Sequence, residues 1–319
     1  MEARTPTEIP ASPRVALCVP TYRRPVGLAR LLGALADLER PGPADRLELV
    51  VIDNDPLGSA REVCERFRDD LAFPLRYRIE KRRGIAQARN AALAACLGRA
   101  DLVAFLDDDE LPERDWLVEL VRVQRETGAD AVTGPCLPLY AAEPPDWVEA
   151  GDFFVRPRWK TGHRLEIAYT GNVLVTTRSL AEMESLFDER LGLIGGEDTD
   201  FFLRFSRAGH GIVWCDTAVI RDEVPEECAT LRWILARAYR NGAATAYIAR
   251  KLDPGPERAL RVGFHGLRCL AKAAVFLLAS PLRGRAAAAR ALHLASFGVG
   301  RIGGLAGLQH SEYRVIRGG

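Results

Sequence analysis

Asp107, Asp108 and Asp109 follow directly on the apolar run Leu102-Val103-Ala104-Phe105-Leu106, and no other segment is better placed to do chemistry. A short β-rich run that stops at carboxylates reads as a buried strand delivering acid groups to the edge of a sheet. Three adjacent carboxylates repel one another and lose hydration when partly enclosed, so a divalent cation is the natural compensation. Oxygen donors with no His or Cys beside them favour a hard ion, Mg2+ or Mn2+, of the kind that also holds substrate phosphates. The competing reading is a solvated acidic turn in which Glu110 and Pro112 merely open the next helix.

The surrounding pattern supplies the elements that must position these acids. Val15–Pro20 is a compact apolar strand ending in Thr21-Tyr22-Arg23, and Leu28, Leu31, Leu32 and Leu35 mark a helix after it. A second strand, Leu47–Ile52, stops at Asp53-Asn54-Asp55; a helix over 58–69 and a strand over 74–79 follow. Gly84 opens an alanine-rich helix over 85–97, which leads into the strand at 102–106. Strand–helix alternation with polar residues at each strand's C-terminal end predicts an open α/β sheet, whose ligands bind beyond those ends. Further on, a helix is expected over 116–124 and strands over 131–133, 169–176 and 212–220, with an irregular excursion over 135–160. Gly195-Gly196-Glu197-Asp198 precedes a helix that runs to about Ala208.

With 319 residues, 48% of them hydrophobic, the chain is long enough for one large domain and an appendage. Seven cysteines at irregular spacing argue against a disulfide framework or a zinc site and fit a reducing cytoplasm. Residues 1–13 are polar and read as a disordered tail without a signal core. No stretch of about 18 uninterrupted apolar residues occurs, so no ordinary transmembrane helix is expected. The net charge of +1 hides an asymmetry: residues 228–319 carry 15 Lys or Arg against 3 Asp or Glu, a local net of +12, whereas 1–227 carry −11. An acidic body with a basic tail should meet something anionic.

VPTYRRP, VIDNDP, GIAQARNAAL, FLDDDELP, TGNVLV, GGEDTDFFLRFSRAG and IVWCDTAVI occur in this order over residues 14–225. Together they resemble the family 2 glycosyltransferases, inverting enzymes of GT-A fold that use nucleotide sugars. The resemblance implies a Rossmann-like open mixed sheet flanked by helices over 14–227. Pro20, Thr21, Tyr22, Arg23 and Asp53 would then line the nucleotide pocket, with Tyr22 available to stack on a base. Gly84, Arg89 and Asn90 would form the next nucleotide-side element, where a helix N-terminus and a guanidinium suit phosphate. Asp107 and Asp109 stand at the family's DxD positions, Asp109 as direct metal ligand and Asp107 toward metal, sugar or ribose; Asp108 belongs to the donor side. Glu197 and Asp198 match the catalytic acidic pair, Asp198 as base and Glu197 orienting acceptor or sugar. Acids there would also cap the helix and suit its dipole, a duty for which Asp200 and Thr199 look fitted. One departure is plain: many relatives carry a His soon after the strand matching IVWCDTAVI, where this chain has Arg221-Asp222-Glu223, so either a carboxylate there substitutes or the metal keeps a water.

In the basic region, residues 231–250 predict a helix interrupted near Asn241-Gly242. Arg258, Arg261, His265, Arg268 and Lys272 then recur every three or four positions, with Leu260, Phe264, Leu267 and Leu278 on other faces. Such a helix suits a membrane interface, though a solvated helical layer packed on the sheet has the same pattern. Pro281 and Gly284 break it before a second apolar segment over 286–297. Trp147 and Trp159 could stack on a sugar or simply pack.

The expectation is a cytoplasmic glycosyltransferase, peripherally bound to the inner face of the cytoplasmic membrane through its C-terminal helices. It would use a nucleoside-diphosphate sugar with Mg2+ or Mn2+ and a saccharide or lipid-linked acceptor, in bacterial surface or exopolysaccharide synthesis. Nucleic acid is not an expected partner, because the nucleotide-binding body is acidic. The rivals are a nucleotidyltransferase, which would need a lysine-bearing glycine loop absent after the first strand, and a non-catalytic scaffold, which the missing His keeps open.

Overall fold

In the computed structural model, residues 9–42, 46–193 and 195–307 are described; most of the expected tail (1–8) and the end of the basic region (308–319) lie outside them. The elements run β1 (Arg14–Thr21), α1 (Pro25–Ala36), β2 (Arg46–Asp53), α2 (Arg61–Arg66), β3 (Leu75–Ile79), α3 (Ile85–Cys96) and β4 (Leu102–Phe105). There follow β5 (Glu110–Pro112), α4 (Trp116–Thr127), β6 (Ala131–Thr133), β7 (Cys136–Tyr140), α5 (Asp146–Glu149), β8 (Arg164–Leu165) and β9 (Val173–Thr176). The chain continues through α6 (Thr177–Ala181), α7 (Glu197–Arg207), β10 (Ile212–Trp214), β11 (Ile220–Val224), α8 (Leu231–Leu252) and α9 (Pro256–Leu305).

The main sheet has the order β3-β2-β1-β4-β9-β6-β10-β8. Strands β1 to β4 are mutually parallel where they pair, and β9 runs antiparallel to both β4 and β6. Alternation along β1 splits the core in two, as the two-residue period of a strand requires. Val15, Leu17 and Val19 face the leucines of α1 and the apolar face of α4. Ala16 and Cys18 face the alanines of α3 and the phenylalanines of α7. Small side chains on both sides let α3 lie close to the sheet, and Phe201, Phe202 and Phe205 fill the wider space beneath α7.

A second sheet, β5-β11-β7, stands beside the first. The expected single strand over 212–220 is therefore two strands in different sheets, because the Cys215–Val219 turn leaves one ladder and enters the other. The expected strand over 169–176 is ordered as strand only from Val173; upstream, Asn172 accepts from Trp116 Nε1 (2.8 Å) and donates to Pro135 O and Ala218 O (3.0 and 2.8 Å). That side chain is wholly buried and ties the two sheets together.

The expected break at Asn241-Gly242 does not occur: α8 is continuous through it. Gly242 serves close packing instead, since a Cβ there would strike Phe297 O of α9. The break near Gly284 is real, with φ 79° and ψ −177° inside the 50-residue α9. Residues on either side of it meet: Gly266, 18 positions before, lies against Ile302, 18 positions after, and against Gly298. The helix is thus two arms, one over 256–283 and one over 285–305, folded against each other and onto α8. Contrary to the sequence expectation, α9 is long and apolar enough to cross a membrane by length and composition, an 18-residue stretch averaging 1.5 in hydropathy with 17% of it buried. Arg268 and Lys272 interrupt the apolar run without lowering that average enough to exclude it.

Candidate active site

The C-terminal ends of β1 and β4, the start of α7 and the inner faces of α8 and α9 enclose a cavity of about 1010 Å3. Pro20, Thr21, Tyr22, Gly84, Arg89, Asp107, Asp108, Asp109, Glu197 and Asp198 all line it, so segments remote in sequence converge there.

Parallel pairing sets this convergence. Cys18 of β1 is in register with Phe105 of β4, so the residues just past both strands meet. Thr21 Oγ1 donates to Asp108 Oδ2 at 2.7 Å, and Arg24 Nη1 reaches Asp108 Oδ1 and Asp109 Oδ2 at 3.1 and 2.6 Å. Burial, then the charge of Asp109, pushes the Asp108 carboxyl up to about 7, and burial also raises Asp109. Glu110 is buried behind them and accepts from the Asp107 backbone N–H at 2.7 Å. Its own carboxyl lies well above the usual range, through burial and then the Asp107 charge.

Arg89, on the first turns of α3, is the crosspiece between the two acidic motifs. Its guanidinium donates to Asp107 Oδ1 at 2.7 Å and to Glu197 Oε1, both as ion pairs. Glu197 is 3% exposed, its Oε2 has no hydrogen-bond partner, and burial lifts its carboxyl to about 7 although Arg89 lowers it. Gly195 and Gly196 lead into α7 with φ near 89° and 86°, a left-handed entry that favours glycine and turns Glu197 inward. Asp198 lines the cavity and is half-buried, and its Oδ1 accepts from the Thr199 N–H at 2.6 Å. Asp200 stands in the first turn of α7, where its charge suits the helix dipole as expected; it makes no cap and is fully buried, bound by Arg204 and Lys251 at 3.0 and 2.7 Å.

Three expected pocket residues lie outside the lining. Asp53 is wholly buried, its carboxylate accepting from Asp55 N (3.0 Å), Ala60 N (2.8 Å) and Tyr77 Oη (2.8 Å). It closes the turn after β2. Arg23 pairs with Asp55 at 3.0 Å, and Asn90 exchanges hydrogen bonds with the Phe187 backbone (2.9 and 3.0 Å). Arg89 lines the cavity, yet its guanidinium is engaged by carboxylates of the chain rather than presented to an anion. Tyr22 lies between Arg23 and Arg83, whose guanidinium carbons are 5.2 and 4.9 Å from its ring centre. Trp147 packs on Phe153, and Trp159 on His163 and Trp214.

Other participants carried no distinctive sequence signal. Asn54 lines the cavity and anchors the loop before α3, donating to Glu80 O and Arg82 O (2.9 and 2.8 Å) and accepting from Gly84 N (2.7 Å). Arg24 was hidden among neighbouring arginines. Asp222, in the segment where the resemblance led to the expectation of a His, lines the cavity on β11 directly opposite Glu110 of β5. Burial, then the Asp109 charge, raises its carboxyl to about 6. The basic helix also differs from expectation: Arg258, Arg261 and His265 face the cavity, whereas Leu260, Phe264, Leu267, Val275, Leu278 and Leu282 form an exposed apolar stripe.

The family described as "Glycosyl transferase family 2" matches residues 16–186. The Succinoglycan biosynthesis protein ExoM of Rhizobium meliloti (strain 1021) is 36% identical over 296 residues, 92% of this chain and 93% of that protein. Glycosyltransferase AglE of Haloferax volcanii is 25% identical over 211 residues, 65% of this chain and 66% of the other. Among solved structures, the mannosyltransferase PcManGT from Pyrobaculum calidifontis, in complex with GDP-Man and Mn2+, superposes with TM-score 0.59 at 20% identity, covering 90% of this chain and 86% of that one. Residues 1–349 of S. aureus TarS with UDP give 0.53 at 18% identity, covering 92% of each. The extended match to the family and to ExoM, on a GT-A fold with its acidic motifs gathered in one cavity, identifies the chain as a member of glycosyltransferase family 2.

Proposed function

We propose that the protein is an inverting, metal-dependent glycosyltransferase that moves a sugar from a nucleoside-diphosphate donor to a saccharide hydroxyl in exopolysaccharide assembly. The observation that carries this reading is the guanidinium of Arg89, which holds Asp107 of the donor side and Glu197 of the acceptor side around one cavity. PcManGT with GDP-Man and Mn2+ and TarS with UDP support the donor class, and the name of ExoM supports the pathway class.

Asp198 is the proposed base. Its Oδ1 is committed to Thr199, which leaves Oδ2 to take the proton as the acceptor hydroxyl attacks the anomeric carbon opposite the leaving group. Glu197, fixed through Oε1, presents Oε2 as an acceptor for a sugar hydroxyl. Thr21, Tyr22 and Gly84 border the nucleotide half, while Phe154 and Trp233, stacked with centroids 5.6 Å apart, border the acceptor half.

A hard divalent ion fits the donor set. Among the described residues no three His, Cys, Asp or Glu side chains form a closed metal cage, but Mg2+ and Mn2+ sites use one or two carboxylates completed by phosphate oxygens. Asp109 and Asp107 would hold the ion, with Asp222 in place of the missing His. Bound there, it supplies Lewis-acid neutralisation of the departing diphosphate.

The exposed apolar stripe of α9, with Arg268 and Lys272 exposed alongside, suits peripheral contact with an anionic cytoplasmic leaflet and hence a lipid-linked acceptor. Thermal-shift measurement with UDP-, GDP- and dTDP-sugars, with and without Mn2+, tests the reading. One donor class should stabilise the protein in a metal-dependent way; stabilisation by none would refute it.

A further inference from the structure

The carboxylates of the cavity have arginine partners in the catalytic body, Arg24 and Arg89, and a second set of arginines lines the wall across from them. Facing the carboxylates of Asp107, Asp109 and Asp222, the wall built by α8 and α9 carries Arg237, Arg240, Arg258, Arg261 and Arg301. Arg240 is 7% exposed, and Arg258 and Arg301 are only partly exposed. The Nε–H groups of both Arg258 and Arg301 are buried without an acceptor. Asp253 pairs with Arg258 at 3.2 Å but is shared with Arg207 at 2.9 Å, and Arg261 pairs with Glu257 at 3.7 Å. Burial, then the neighbouring Arg258 charge, lowers the proton affinity of Arg301. A folded chain that gathers like charges and leaves their donors unmet has placed an anion-shaped demand in its cavity.

We propose that Arg258 and Arg301 form an anion subsite that takes a phosphate or diphosphate carried by the acceptor. Guanidinium forks match the several oxygens of such a group, which would meet both orphaned Nε–H donors and relieve the repulsion between the arms of α9. The charge pattern also sorts the substrates: metal-bound donor phosphates suit the carboxylates, and metal-free acceptor phosphate suits the arginine wall. The inference rests on the transferase reading only in assigning the anion to the acceptor.

Titration calorimetry of the full chain with inorganic pyrophosphate in EDTA tests it, because Asp107, Asp109 and Asp222 then have no metal ion through which to hold the probe. Binding by the wild type should weaken about tenfold or more in each of Arg258→Gln and Arg301→Gln, from the loss of one charge-assisted contact. Without pyrophosphate Arg301→Gln should melt at or above the wild-type temperature, since it removes a repelling charge, and Arg258→Gln close to it, since the lost repulsion offsets the lost Asp253 pair. Equal binding by the variants, or no binding by the wild type, overturns the subsite. So does a fall in melting temperature with binding unchanged, which marks a purely structural arginine. Should Arg301→Gln fail to fold, Arg258→Gln, near the start of α9, decides alone. Phosphatidylcholine vesicles with and without phosphatidic acid distinguish the sources. Displacement of pyrophosphate only by the phosphatidic acid vesicles assigns the site to lipid-borne phosphate; its persistence assigns the site to a soluble one. Nucleotide-sugar stabilisation measured on the same samples separates the two proposals, because pyrophosphate binding without any donor effect supports the subsite and sinks the transferase reading.

Discussion

Arg24 Nη1 lies 2.6 Å from Asp109 Oδ2 and 3.1 Å from Asp108 Oδ1, so the chain supplies its own cation where a metal is proposed to bind. The guanidinium offsets the repulsion of two desolvated carboxylates and competes with any incoming ion for Asp109. Arg24→Gln should therefore act with opposite signs. The metal-free protein should lose about 1–3 kcal/mol, as expected when a buried carboxylate loses its partner. The added stabilisation by Mn2+ should grow. Melting curves across a manganese series check both, and a smaller manganese effect in the variant would refute the competition.

Asp198 and Asp109 should separate cleanly in kinetics. Asp198→Asn keeps shape and removes the proposed base, so kcat should fall by roughly 10^2–10^4-fold while donor-induced stabilisation persists. Asp109→Ala should remove both turnover and metal-dependent donor stabilisation. If Asp198→Asn retained wild-type kcat, the base assignment would pass to Glu197, whose raised carboxyl and unmet Oε2 make it the next candidate.

Lys251 clamps α8 to the catalytic body through Asp188 and Asp200, each at 2.7 Å. Asp200 is 0% exposed, so Lys251→Met leaves a buried carboxylate with Arg204 alone and should destabilise by about 2 kcal/mol. The Asp188 carboxyl is held below its ordinary value, first by the Arg190 side chain and then, against burial, by Lys251. A lowered folded-state value gives stability that is complete above the unfolded value near about 3.9 and declines as pH falls below it. Asp188→Asn should accordingly melt lower than wild type at neutral pH, and the gap should close on acidification. A gap that widened in acid would contradict this linkage.

The apolar stripe of α9 predicts vesicle binding independent of the catalytic residues. Flotation with anionic lipid should weaken as salt rises, since screening acts on Arg268 and Lys272. Leu278→Glu combined with Leu282→Glu should abolish it without changing the melting temperature, because these positions are 83% and 94% exposed. Retained flotation in the double variant would exclude the stripe as the contact.

The strands β1 to β4 and the acids that follow β2 and β4 were legible because strand periodicity and the interruption of apolar runs by carboxylates are local properties. The ordered motifs identified the family for the same reason: each is a short contiguous string. Tertiary structure decided what each polar group faces. Asp53 and Asp109 look alike beyond the ends of the two strands that flank β1, yet Ala60 and Tyr77 close over the first while Arg24 and the cavity meet the second. Asp222 reached the site only through antiparallel pairing with Glu110, and the cationic stripe was divided between cavity and solvent only by the reversal at Gly284. Such outcomes depend on contacts between residues far apart in the chain, where a side chain's charge and hydrogen-bonding capacity are fixed by its type but its partner is chosen by packing.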